Sequence, residues 1–331
     1  MRKRIYIESN EAEGLHNEAF LYDYTPSLNK SMRKDGYGFW HSVGMEITLD
    51  SRIQCRKFYR KGWAESPQER GKGTKEIVHI RECVNQYGLS VIIASMYKGN
   101  PLPSIVICLG GPITPIPNIY EEGSIYQTLM NNGFAIIIPL RRGVMGISPG
   151  WEDALKQHYG EYDIKDTIEA TTVAITFHPE IIDKNRIYLY GGSYGGYVAE
   201  LIAGKGNFDR LFRAIIAHCG VYDLASYPWH NQGNPKETMQ TYGNTTDQEE
   251  YSRNVAEISP KSYVSNWDVP VLLIHHLSDM SSWFGQSVTA YNDALKREKQ
   301  VSLILLPGPH TYEIKHRNKL FQHIVSFFKS N

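Results

Sequence analysis

Cysteine is scarce in this chain: four in 331 residues, Cys55, Cys83, Cys108 and Cys219, set far apart with no C-x-x-C pair. That spacing excludes a zinc-finger-type ligand motif and a dense disulfide framework, and it suits reduced thiols in a cytoplasm. No run of apolar residues approaches the roughly 18 that would span a bilayer. Arg2, Lys3 and Arg4 lead into Ile5-Tyr6-Ile7-Glu8 instead of an apolar segment, so a secretory signal has no support. Net charge of either sign is missing too, because Lys+Arg and Asp+Glu both count 35. A basic nucleic-acid footprint and a polybasic membrane face are thereby disfavoured. The phosphate-cradling G-x-x-x-x-G-K-[ST] and the zinc-binding H-E-x-x-H do not occur, and no internal repeat or low-complexity tract is visible. No metal or cofactor is expected.

What is present is ordinary globular material, with 41% hydrophobic and 21% charged residues. The length allows one large domain with an appendage. Residues 1–75 are polar and irregular with scattered aromatics, and the Gly/Lys stretch 69–73 reads as a linker. We therefore expect an N-terminal extension over 1–75, a candidate lid or cap, and a catalytic domain over 76–331. From residue 77 onward, short apolar runs alternate with segments of helical period. Strands are predicted at 77–81, 89–95, 104–109, 134–139, 187–190, 214–217, 271–275 and 301–306. Most are continuously apolar, as suits strands buried on both faces of a mostly parallel sheet. Three helical stripes would dock on it: Ile164, Ile168, Thr172 and Ile175; Val288, Tyr291 and Leu295; Leu320, Ile324 and Phe327 or Phe328. The fold class is α/β, with about eight strands flanked by helices.

The most informative segment is Arg186-Ile187-Tyr188-Leu189-Tyr190-Gly191-Gly192-Ser193-Tyr194-Gly195-Gly196-Tyr197, a strand entering G-x-S-x-G and then a helix. A serine at a sharp strand-to-helix turn needs small neighbours two residues to either side, which Gly191 and Gly195 supply. The following helix start aims N–H groups and a positive dipole end at a developing oxyanion. The competing reading is a plain glycine-rich turn; the flanking strand and helix favour the nucleophile elbow.

A serine nucleophile needs a base, and the base needs an acid. In this architecture the acid and then the histidine follow the serine. Asp279 lies just beyond the 271–275 strand, and His310 lies in Pro307-Gly308-Pro309-His310 beyond the 301–306 strand. Both therefore leave the sheet at its C-terminal edge, where ligands bind in open α/β folds. Asp268 sits at the opposite edge and Asp293 inside a helix, so both read as surface charges. His275 and His276 precede the acid and read as wall residues. The loop Leu109-Gly110-Gly111-Pro112 could offer the second oxyanion donor, so the backbone N–H groups of Gly111 and Tyr194 form the candidate pair; a simple Gly-Pro turn is the alternative. Tyr222, Tyr227 and Trp229 follow a strand at the catalytic edge and could line a substrate pocket, or could pack between loop and sheet.

Together these residues resemble the prolyl oligopeptidase family of serine peptidases in its α/β-hydrolase catalytic domain. The likeness runs from 76 to 330. It rests on Gly-Gly-Ser193-Tyr-Gly-Gly, on Arg142-Gly143 with Gly146 and Trp151, on Tyr242-Gly243 through Tyr251 to Ser259-Pro260, and on Leu273-Ile274-His275-His276-Leu277-Ser278-Asp279. The resemblance implies Ser193 as nucleophile, Asp279 as acid, His310 as base, and Gly111 and Tyr194 as oxyanion donors. Leu109 stands where many members have histidine, and His276 stands where glycine is usual. Members typically carry a β-propeller, which 75 residues cannot form.

The expectation is a serine hydrolase working through an acyl-enzyme, foremost a peptidase on short peptides or peptide-like amides. An esterase, thioesterase or acyl transferase on a small metabolite is the runner-up, because the same triad serves each. A non-catalytic hydrolase-fold scaffold is the third reading, which a complete Ser193, Asp279 and His310 set argues against. The expected partner is the peptide or acyl substrate, with no nucleic acid and no membrane, and with self-association as a means of shielding an open site.

Overall fold

The computed structural model describes residues 77–331, apart from 86–87, 97–99, 149, 157, 208 and 311–313, and gives the backbone course of four short strands before them. Those four are β1 (Lys3–Ser9), β2 (Glu18–Tyr22), β3 (Val43–Ile47) and β4 (Arg60–Gly62). β1 to β3 form a small antiparallel sheet, in the order β2-β1-β3. The rest of the predicted extension, including the linker at 69–73, lies outside the described residues.

The eight later strands are β5 (Ile77–Cys83), β6 (Ser90–Ser95), β7 (Leu102–Cys108), β8 (Ala135–Leu140), β9 (Ile182–Gly192), β10 (Ile215–His218), β11 (Val271–His276) and β12 (Val301–Leu306). They lie within a few residues of the predicted runs, and β4 adds antiparallel to β5. The sheet order is β12-β11-β10-β9-β7-β8-β6-β5-β4. Strands from β8 across to β12 are parallel, and the β6–β8, β5–β6 and β4–β5 pairings are antiparallel. β6, β8 and β11 are buried at every residue, as their unbroken apolar runs require, whereas β12, at the sheet edge, is only partly covered. From β7 the chain passes to β8 on one side and then to β9 on the other. That reversal opens a crevice beyond the C-terminal ends of β7 and β9, the place where doubly wound folds bind ligands.

Helices α1 (Ile125–Asn131), α2 (Tyr162–Phe177), α3 (Tyr194–Leu201), α4 (Pro235–Gly243), α5 (Gln248–Asn254), α6 (Gly285–Leu295) and α7 (Ile314–Ser330) complete the fold. α7 buries Leu320, Ile324 and Phe328, on the predicted stripe. α2 and α6 are rotated from theirs. The buried face of α2 is Asp163, Asp166, Thr167, Ala170, Thr171 and Ala174, with the isoleucines at its flanks and Thr172 exposed. The buried face of α6 includes Ser287, Ala290 and Ala294, while Leu295 is exposed. Small residues let these helices approach the sheet closely, and the two α2 aspartates sit inside because the buried Arg141 meets Asp163 and the half-buried Arg142 meets Asp166. Hydrophobicity alone points to the neighbouring face.

Candidate active site

Ser193 stands between the end of β9 and the start of α3 with φ 58° and ψ −123°. A non-glycine residue at such angles is strained, and the surroundings have to hold it there. The Ser193 N–H donates to the His218 carbonyl at 2.8 Å, and the Ser193 carbonyl accepts from Gly196 N–H at 2.8 Å. A side chain at Gly191 would run into the Gly195 carbonyl, and one at Gly195 would run into the Cys108 carbonyl. The glycine spacing of the elbow is therefore a steric requirement of strand, turn and helix packed at contact.

The structure brings Ser193, His310 and Asp279 into one hydrogen-bonded row. Ser193 Oγ lies 2.7 Å from His310 Nε2, and His310 Nδ1 lies 2.6 Å from Asp279 Oδ2. A carboxylate only accepts, so His310 carries its hydrogen on Nδ1 and turns the Nε2 lone pair to the serine hydroxyl. Asp279 is buried; its Oδ1 accepts from the Ser281 and Ser282 N–H groups at 2.9 and 2.8 Å. Burial alone would raise its pKa, but the donors from His275, His310 and the Ser282 backbone outweigh it and hold the carboxyl far below the usual range. The loops that carry Asp279 and His310 are joined by Ser278 N–H to the Gly308 carbonyl at 2.9 Å.

The two histidines read as wall residues have defined tasks. His275 is fully buried, with Nδ1 2.7 Å from Ser287 Oγ and Nε2 2.6 Å from the Ser282 carbonyl and 3.3 Å from Asp279 Oδ2. It thus braces the acid loop from inside. His276 Nδ1 lies 2.6 Å from the carbonyl of Pro309, the residue before His310, and its Nε2 lies 3.1 Å from His218 Nε2. Burial lowers the His218 pKa to about 3 and lowers that of His276 as well, so both imidazoles are neutral near pH 7.

Gly111 and Tyr194 both line a cavity of about 250 Å³ that opens beside Ser193 and His310. Gly111 has φ +136°, and a Cβ there would meet Ile113 N at 2.9 Å, so this turn calls for glycine. Its loop is held by Arg141, which is buried. One guanidinium nitrogen donates to the Pro112 and Arg142 carbonyls at 3.1 and 2.7 Å, the other to the Leu109 and Gly110 carbonyls at 3.3 and 3.2 Å. Arg141 also faces Asp163 at 3.5 Å and lies 5.0 Å from the centre of the Tyr194 ring, and the Tyr194 hydroxyl donates to Asp163 at 3.0 Å. One buried ion pair thus braces the loop of one candidate donor and the side chain of the other. Arg141 and Asp163 escaped the sequence reading; the signal available was Arg141 immediately before the Arg142-Gly143 turn.

Of the three pocket candidates, Tyr227 lines the cavity. Tyr222 does not: it is fully buried beneath the loop, its hydroxyl donating to Asp293 at 3.2 Å and its ring edge-on to Trp267. Asp293, half-buried, accordingly accepts a hydrogen bond from the core as well as carrying a charge at the surface. Trp229 is also outside the cavity and is 52% exposed. The remaining walls, which the sequence did not single out, include Tyr197, Tyr242, Val221, Leu224 and Cys219. Tyr242 packs between neighbours, tilted against Tyr159 with ring centres 5.0 Å apart and edge-on to Tyr227 at 6.1 Å.

A sequence model of the prolyl oligopeptidase family matches residues 122–331, well over half of the chain. The chain belongs to the prolyl oligopeptidase family. Among similar proteins, the dipeptidyl-peptidase 5 of Porphyromonas endodontalis is 26% identical over 91% of this chain and 46% of its own length. That of Porphyromonas gingivalis is 27% identical over 70% and 33%. The chain therefore spans less than half the length of these relatives. In solved structures, acylaminoacyl peptidase of Pyrococcus horikoshii superposes with a TM-score of 0.66 at 24% identity, over 76% of this chain and 41% of that one. A puromycin-hydrolysing peptidase of Mycobacterium tuberculosis gives 0.65 at 15% identity, over 99% and 45%. At those identities the structural likeness speaks for the fold alone. Among the described residues no helix is long and apolar enough to cross a membrane.

Proposed function

We propose that the chain is a serine peptidase of this family that cleaves short peptides or peptide-like amides through an acyl-enzyme. The observation that carries the reading is the Ser193–His310–Asp279 row with the serine held in a strained elbow beside a cavity. His310 Nε2 takes the Ser193 proton as Oγ bonds to the substrate carbonyl carbon. The oxygen, now negative, is met by the Gly111 and Tyr194 N–H groups, each such donor being worth about 3 to 4 kcal/mol in the transition state. The C–N bond then breaks, His310 hands the proton to the leaving amine, and water repeats the sequence on the acyl-enzyme. Asp279, ionised through the working pH range, stabilises the imidazolium formed on the way.

The cavity is small and walled by tyrosines, Val221 and Leu224 together with Ser281 and Ser282, so it suits a single side chain or proline ring with an apolar body next to the scissile bond, and leaves room for a polar contact beside it. The name of the sequence relatives, dipeptidyl-peptidase 5, favours peptides cut near their N-terminus. A rate panel of aminoacyl, prolyl and dipeptidyl amides against short-chain esters and thioesters tests this. Amide turnover that disappears in Ser193→Ala supports the peptidase. Turnover of esters or thioesters alone would replace it with the esterase, thioesterase or transferase reading.

A further inference from the structure

Behind the acid and base loops lies a group of donors that the proposed reaction does not use. β10 ends in His218 and is followed by Cys219, and the neighbouring parallel strand β11 ends in His276. All three are buried, at 5%, 2% and 1% exposure. The two Nε2 atoms face each other at 3.1 Å, and one ligand atom from each of His218, Cys219 and His276 falls within 4.8 Å of the others. Adjacent parallel strands alone would not require two imidazoles to meet nitrogen to nitrogen. We propose that His218, Cys219 and His276 form a binding site for a borderline-soft divalent cation of the zinc class.

The donor set suits that class, since two imidazole nitrogens and a thiolate select zinc and its congeners over hard cations such as magnesium or calcium. Two nitrogens bound at about 2.0 to 2.1 Å in a tetrahedral site stand roughly 3.3 Å apart, close to the separation already present. The outer partners match as well. A ligating histidine ordinarily gives its other N–H to a carbonyl or comparable acceptor, which fixes the ring. His276 Nδ1 does so at the Pro309 carbonyl, which accepts only, so its Nε2 presents a lone pair toward His218. His218 Nδ1 lies 3.1 Å from the Tyr190 hydroxyl. In the metal-free state the neutral His218 carries its hydrogen on Nε2, toward His276. On binding, that hydrogen moves to Nδ1 and is donated to the Tyr190 oxygen, the Cys219 thiol gives its proton to solvent through the cavity it lines, and a metal–sulfur bond and two metal–nitrogen bonds form. Cys219 also lines the cavity, which gives the cation a route in and a water for its fourth position.

A second grouping, Cys219 with His275 and Asp279, is less suited. His275 Nε2 points at the Ser282 carbonyl and so carries a hydrogen, and the lone pair left on Nδ1 is taken up by the Ser287 hydroxyl at 2.7 Å. Asp279 is engaged by His310 and two backbone N–H groups. Sequence motifs miss the proposed site because His276 lies 58 residues from His218.

The test is independent of catalytic activity, so it can fail while the peptidase reading stands, and the reverse. Cadmium is titrated into chelator-washed protein while the ultraviolet thiolate-to-cadmium absorption is followed. Saturation at one cadmium per chain is expected, with the band lost in Cys219→Ser, kept in Cys108→Ala, and the affinity reduced about tenfold or more in Tyr190→Phe through the outer partner. No band, or one that survives Cys219→Ser, overturns the site. Should the variants not fold, X-ray absorption of the zinc-loaded wild type decides. One sulfur at about 2.3 Å with two imidazole nitrogens near 2.0 Å is expected, and a shell without sulfur overturns it.

Discussion

Replacing Arg141 by lysine keeps the positive charge opposite Asp163 but removes the planar fork that holds the Gly111 loop. In the native protein one guanidinium nitrogen serves the Pro112 and Arg142 carbonyls and the other serves those of Leu109 and Gly110. A lysine ammonium is a single point and can satisfy one of those pairs, not both. Two charge-assisted bonds are lost, and at the low end of about 1.5 kcal/mol each the variant should be about 3 kcal/mol less stable. Denaturant unfolding would read this as a lower midpoint with an unchanged slope. The same loop carries Gly111 N–H, so kcat on an amide substrate should fall about tenfold while KM moves little, since misaligning a donor costs less than the factor of about 10² to 10³ lost on deleting one. Stability within about 0.5 kcal/mol of wild type together with unchanged kcat would refute the role given to Arg141.

Three further outcomes follow from the same geometry. Asp279→Asn presents an amide to His310 Nδ1, favours the wrong tautomer, and should lower kcat by about 10⁴-fold with the fold intact by circular dichroism; a loss under tenfold would remove Asp279 from the acid role. Tyr227→Ala opens one wall of the cavity and should raise KM about tenfold for substrates with a large apolar residue, leaving kcat near wild type, as steady-state kinetics would read. Glu200 is fully buried on α3, neither oxygen meets a hydrogen-bond donor among the described residues, and desolvation raises its pKa well above the ordinary carboxylate value. A raised native pKa means that the unfolded chain loses this proton first, so stability is lost as pH rises above about 4.3. Glu200→Gln should therefore gain on the wild type by up to about 1.4 kcal/mol per pH unit through that range, and unfolding curves whose gap stays constant from pH 4 to 8 would contradict the assignment.

The sheet was readable because most of its strands carry unbroken apolar runs, and β5 to β12 fall on the eight predicted segments. The elbow was readable for a related reason: a strand, G-x-S-x-G and a helix leave little freedom in where Ser193 can point. Asp279 and His310 could be located because each follows a strand at one edge of a parallel sheet. The polar interior was less accessible. Arg141, Asp163 and Asp166 look like surface charges in one dimension, and only the pairing of Arg141 with Asp163 and of Arg142 with Asp166, between the turn after β8 and α2, explains why they are inside. The same blind spot turned the predicted face of α2. Tyr222 and Trp229 were placed near the site by chain position, yet loop geometry sends one into the core and the other to solvent. His218 and His276 meet only because β10 and β11 are neighbours, which the order of strands in sequence did not reveal.

The most direct test of the central proposal is labelling of the intact chain with a fluorophosphonate, followed by mass mapping of the modified residue. An activated serine should react stoichiometrically at Ser193, with labelling absent in a folded Ser193→Ala variant and strongly slowed in His310→Ala. A well-folded wild type that stays unlabelled, or a label that persists in Ser193→Ala, would contradict the hydrolase account.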